Sequence, residues 1–171
     1  MKCHIIINSI FVLAAVPVCA FAAAKEAPSS GVAQKCYAVY ETKNYAETMR
    51  VCTEAAQQKD AHASYILGQL YEKGQGVPQD LVAAAKWYQP AADAGYPPAQ
   101  YRIAVGYAAG MGGFTKDEAK ALEWLKRAAK NGDKRSQKYL AAGYEKGGVL
   151  GLVKDDVQAR YWREQAEKNP N

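Results

Sequence analysis

Residues 63–95 read ASYILGQLYEKGQGVPQDLVAAAKWYQPAADAG, and this stretch decides the fold because the chain repeats its pattern. Ala63, Leu67 and Tyr71 stand four residues apart, one stripe of a helix. Gly74 is placed to end that helix, since glycine takes the left-handed conformation that helix ends favour. Gly74-Gln75-Gly76-Val77-Pro78 then reads as a connector. Asp80 is placed to cap a second helix, its carboxylate accepting from the unpaired N–H groups at the positive dipole end. Ala84, Trp87 and Ala91 give that helix an inner face, and Gly95 stops it. Pro90 cannot donate to the Lys86 carbonyl and its ring crowds that turn, so a kink or an early helix end is expected there, with Ala91 and Ala92 still packed inward.

The same landmarks return twice. Tyr71, Tyr107 and Tyr144 are 36 and 37 residues apart, and Gly74, Gly110 and Gly147 keep that spacing. Asp80, Asp117 and Asp155 each precede a tryptophan (Trp87, Trp124, Trp162) by seven residues. Alanines flank each tryptophan at matching positions: Ala84, Ala121 and Ala159 before, Ala91, Ala128 and Ala166 after. The interval from Gly to Asp grows from six to seven to eight residues, which puts the insertions in a loop. Gly68 sits inside the first helix at a cost of about 1 kcal/mol relative to Ala. Its counterparts are Ala104 and Ala141, so a close helix contact is expected at that position. A degenerate earlier unit occupies residues 34–60. Tyr45 to Gln57 aligns with a second helix, Asn44 holds the cap position, and Glu41-Thr42-Lys43 is the short turn before it.

The pattern A-x-Y-x-L-G-x-x-Y-x-x-G, followed by D-x-x-x-A-x-x-W-Y-x-x-A-A-x-x-G, resembles the Sel1-like repeat, a relative of the tetratricopeptide repeat. Residues 63–96 match almost throughout, 99–132 match with Ile103 and Ala104 for the Leu-Gly pair, and 136–169 match less well. The resemblance implies an all-α fold, a right-handed α-solenoid of about four antiparallel helical hairpins. Its units are a degenerate hairpin at 34–60, then repeats at 61–97, 98–133 and 134–171, the last with a C-terminal cap. Each hairpin would bury its apolar face on its neighbours.

The N-terminal segment stands outside this pattern. Lys2 precedes an apolar run from Ile5 to Val18, and Ala20-Phe21-Ala22 and Ala22-Ala23-Ala24 both offer a cleavage site. We read residues 1–24 as a secretory signal cut between Ala22 and Lys25, and residues 25–33 as a linker. Val16-Pro17-Val18 is a poor lipobox, which argues against a lipid on Cys19. Cleavage leaves Cys36 and Cys52, and an even pair in an exported chain implies one disulfide. Cys36 lies before the Glu41-Thr42-Lys43 turn and Cys52 after it, so the bridge would staple the degenerate hairpin. The whole chain carries +5, and removing Lys2 with the signal leaves +4. That mild excess favours acidic partners or anionic surfaces. The absence of a dense Lys/Arg run argues against nucleic acid.

An enzyme reading has little support. Beyond the signal the one histidine is His62, at a repeat boundary, and no Ser-x-x-Lys motif occurs. The Gly-rich connectors follow helices, not strands, which disfavours a phosphate loop. Successive repeats are about 10 Å apart, so Asp80, Asp117 and Asp155 cannot share an ion. We expect no cofactor, no metal and no catalytic residue. Some cysteine-rich Sel1-like proteins are assigned β-lactamase activity, but they carry a cysteine pair in every repeat. A cell-wall or β-lactam-directed hydrolase is therefore the alternative reading.

Solenoids of this kind bind partners on the concave face lined by first helices. The matching stripe here is Tyr65, Gln69 and Glu72, then Tyr101, Val105 and Ala108, then Lys138, Ala142 and Glu145. Tyr65 and Tyr101 read as exposed aromatic anchors. The expectation is a monomeric periplasmic or secreted protein that holds a protein or peptide partner, with no membrane span once the signal is gone. The resemblance offers two jobs, an envelope scaffold or adaptor and an immunity protein against a type VI secretion lipase toxin.

Overall fold

Capping side chains set where the helices begin in the computed structural model, which describes residues 31–170. The order is α1 (Gly31–Glu41), α2 (Tyr45–Gln57), α3 (Ala61–Lys73), α4 (Leu81–Asp93), α5 (Pro97–Ala109), α6 (Glu118–Lys130), α7 (Lys134–Lys146), a 3-10 turn (Val149–Gly151) and α8 (Asp156–Lys168). No strand occurs among the described residues. The proposed signal lies outside them. Of the expected linker, Gly31, Val32 and Ala33 are helical and Ala33 is buried, so the first hairpin begins three residues earlier than its sequence reading.

The three aspartates cap as expected. Asp80 accepts from the Val82 and Ala83 amides at 2.9 Å, Asp117 from Lys120 at 2.9 Å, and Asp155 from Val157 and Gln158 at 2.9 and 3.0 Å. Asn44 does the same for α2, accepting from the Glu47 amide. The first helices have their own caps, which the sequence reading missed: Asp60 on α3 and Asp133 on α7. Tyr96 fills that place on α5 without a side-chain bond, and Pro97 takes the first helical position, where its missing N–H costs nothing.

Each helix packs chiefly on its neighbours in sequence, the signature of a stacked solenoid. Within every repeat, the recurring tyrosine carbonyl accepts the backbone N–H of the recurring aspartate: Tyr71 from Asp80, Tyr107 from Asp117 and Tyr144 from Asp155, at 2.9–3.0 Å. That bond fixes the hairpin's register whatever the connector's length. The extra connector residues fold back instead of looping out. An added Cβ at Gly106 would lie 2.6 Å from Phe114, and one at Gly143 would lie 2.8 Å from Leu152. Leu70 holds the equivalent position in the first repeat and fills the space with its own side chain, fully buried.

Three apolar clusters follow one another along the stack. The first, around Ile66 and Leu67, contains the Cys36–Cys52 disulfide, whose Cα atoms are 4.8 Å apart. Two expectations need correction in α4. The helix does not end at Pro90; it runs unbroken to Asp93 and keeps the 13 residues of α2, α3 and α5 to α8. Pro90 and Lys86 are both exposed, so water reaches the carbonyl left without its helical donor. Ala91 and Ala92 do point inward. The deepest aromatic of α4 is Tyr88 and not Trp87, which is half-buried against the first cluster.

Candidate functional site

The stripe along α3, α5 and α7 is closed at one end and open at the other. On α3, Tyr65 is 8% exposed, and its ring centroid lies 5.4 Å from Tyr88 and 5.2 Å from Tyr96. It is a core residue, which overturns its reading as an exposed anchor. Gln69 donates to the Tyr65 hydroxyl and accepts from Tyr40 of α1, both at 3.2 Å, so the degenerate hairpin covers this part of the stripe. Burial, then the neighbouring Tyr45 and Tyr65, raises the Tyr40 pKa above its ordinary value. Glu72 accepts from the Tyr88 hydroxyl and pairs with Arg102 of α5 at 2.9 Å. Burial first, and then the Glu72 carboxylate, pushes the Tyr88 pKa far up, so Tyr88 serves only as a neutral donor. The trio ties the α3–α4 hairpin to the α5–α6 hairpin.

On α5 the surface opens. Tyr101 is half-buried beneath the Arg135 guanidinium, whose centre lies 4.4 Å from the ring centroid, a cation–π arrangement. Burial works against the Arg135 charge, but the Asp133 hydrogen bond and carboxylate offset it, and the guanidinium pKa lies above normal. Tyr101, Val105 and Ala108 line a groove of about 280 Å³ together with Tyr139 and Leu150. Tyr139 is 43% exposed, and the sequence reading passed it over. Leu150 reaches the groove from the long third connector, where it holds a left-handed φ of 49°.

On α7, Lys138, Ala142 and Glu145 are all exposed and line a second groove of about 440 Å³ against α8. Arg163 of α8 donates to Glu145 at 3.1 Å. The structure thus brings Tyr101, Val105 and Ala108 into one groove and Lys138, Ala142 and Glu145 into the next. Tyr65 and Gln69 it assigns to the interior network.

His62 stacks between Tyr37 and Tyr96, with centroids 4.3 and 5.4 Å away, at the seam between hairpins. No group of three or more His, Cys, Asp or Glu that could hold a metal occurs among the described residues. No helix among them is long and apolar enough to cross a membrane.

Stacked helical hairpins with nearest-neighbour packing, one groove between the first helices α5 and α7 and another between α7 and α8, define a helical repeat protein of the interaction-module class. The chain belongs to the Sel1 repeat family, whose model matches residues 61–96, 97–133 and 135–171. Among solved structures it is similar to a Sel1 repeat protein from Oxalobacter formigenes, with 27% identity and a TM-score of 0.73. That match covers 81% of this chain and 54% of the other. It is also similar to a protective antigen, present in uropathogenic Escherichia coli strains, that displays the same repeat fold. There the identity is 33%, the TM-score 0.69, and the coverage 81% of this chain and 30% of the other. The chain therefore spans about half of one neighbour and under a third of the other. Sel1 repeats mediate protein–protein interaction, and the disulfide-bonded cysteines fit an oxidising compartment.

Proposed function

We propose that this chain is an exported, non-catalytic binding protein that holds a protein or peptide partner along α5 and α7. The observation that carries the reading is the groove of Tyr101, Val105, Ala108, Tyr139 and Leu150. It gathers apolar and aromatic side chains at the surface of an otherwise well-packed stack. Aromatic side chains in such a place bury much area on association at little entropic cost. The disulfide supports export to an oxidising compartment.

The test compares wild-type protein with Val105→Arg and Tyr139→Ala as baits in an envelope extract. A partner retained by the wild type should be lost with either variant while the melting temperature stays within a few degrees. Equal retention would move the site off this groove. If the retained partner is a lipase toxin, the role is immunity; if it is an envelope component, the role is scaffold or adaptor.

A further inference from the structure

Four lysines converge on the last repeat boundary. Lys130 ends α6, Lys134 begins α7, Lys138 lies one turn further along α7, and Lys168 ends α8. With Arg135 they border a cavity of about 870 Å³, within the roughly 300–1,000 Å³ of ordinary ligand sites. None of the four lysines makes an ion pair among the described residues. The one acid lining the cavity, Asp133, is fully engaged. It caps α7 through the Ser136 amide and hydroxyl at 2.7 Å and holds Arg135 at 2.8 Å.

The repeat itself does not require these charges. At equivalent positions one boundary earlier, Asp93 replaces Lys130, Pro97 replaces Lys134 and Tyr101 replaces Lys138, and the hairpins still stack. Unpaired like charges brought together repel one another, so the cluster costs stability unless something of opposite sign is bound. Charge along the chain agrees. Residues 97–171 hold 14 Lys or Arg against 9 Asp or Glu, while residues 31–96 hold 6 against 7.

We propose that this cavity is the docking site for an acidic segment of a protein partner. The inference rests on the binding role above and extends it to the partner's chemistry. A recessed site beside Tyr96, Pro97 and Pro98 suits a peptide, which needs apolar contact as well as charge pairing. A bilayer surface would want a flat or protruding basic face. A nucleic acid would want a basic track, and the balance over residues 31–96 provides none.

The test is fluorescence anisotropy at low salt with the purified protein and a labelled 12-residue peptide alternating Glu and Ala, beside the same peptide with Gln for Glu. The Glu peptide should bind, and Lys130→Gln with Lys168→Gln should weaken it about fivefold, the sum of two exposed ion pairs. Lys59→Gln with Lys73→Gln, neither of which lines the cavity, should leave it unchanged. Equal weakening by the two pairs of substitutions, or equal binding of the Gln peptide, would overturn the proposal. So would cosedimentation with phosphatidylglycerol vesicles that depends on Lys130 and Lys168, with no binding of the Glu peptide. Lys130 and Lys168 lie off the first-helix stripe, so Val105→Arg tests the groove separately.

Discussion

Gly68 carries no side chain because Tyr88 occupies the place where one would go. A Cβ there would lie 2.4 Å from Tyr88 Cε1, and the ring cannot step aside. The Glu72 carboxylate holds its hydroxyl and Tyr65 packs against its face. The next repeat solves the same contact with a different pair, Ala104 against Leu125. Gly68→Ala should therefore destabilise the protein by about 1–3 kcal/mol through overpacking, although alanine is the better helix former by about 1 kcal/mol. Adding Tyr88→Leu recreates the second repeat's pair and should restore most of the loss in a denaturant melt. No recovery would mean the two positions are not one packing unit. Tyr65→Ala should cost about 3 kcal/mol by emptying a core site, measured the same way, whereas an exposed anchor would leave stability nearly unchanged. The small residue at 68 was legible because it recurs at 104 and 141. The burial of Tyr65 was not, because a helical wheel does not show that Tyr96, from the next hairpin, closes over it.

At the scale of elements, the α1–α2 hairpin depends most on a covalent bond. It packs chiefly on α3 among the later helices and has no tryptophan of its own. Cys36 and Cys52 are both fully buried where α1 meets α2, 16 residues apart in sequence. A bridge closing a loop of that size contributes about 3 kcal/mol in the chain-entropy account. Cys52→Ser should lower the melting temperature, and limited proteolysis should then cut residues 31–60 before the later repeats. Simultaneous cleavage along the whole chain would show that the hairpin is not a separate weak unit. The bounds of α2 and the aspartate caps were legible because they rest on local chemistry repeated at a fixed period. The unbroken α4 was not, since the damage done by Pro90 depends on whether water reaches Lys86. Nor was the inward fold of Phe114 and Leu152, which compensates for glycines in a neighbouring helix.

For the whole molecule, the faces of α4, α6 and α8 can be compared position by position. In α4, Tyr88 and Ala92 join the cluster that holds Ala99 and Ile103 of the following helix. In α6, Leu125 and Ala129 do the same with Leu140 and Ala141. Their counterparts in α8 are Arg163 and Glu167, both exposed. The face that in α4 and α6 receives the next hairpin is charged in α8. Arg163→Leu with Glu167→Ala should convert it into the kind of surface that α4 and α6 bury. Arg163 also pairs with Glu145, but both partners are more than half exposed, so its loss costs the monomer little. The double variant should keep its helical content and melting temperature while its sedimentation coefficient rises with concentration, as a newly apolar end finds a second copy. A coefficient that stays flat across the same range would show that these two charges are not what keeps this face from associating.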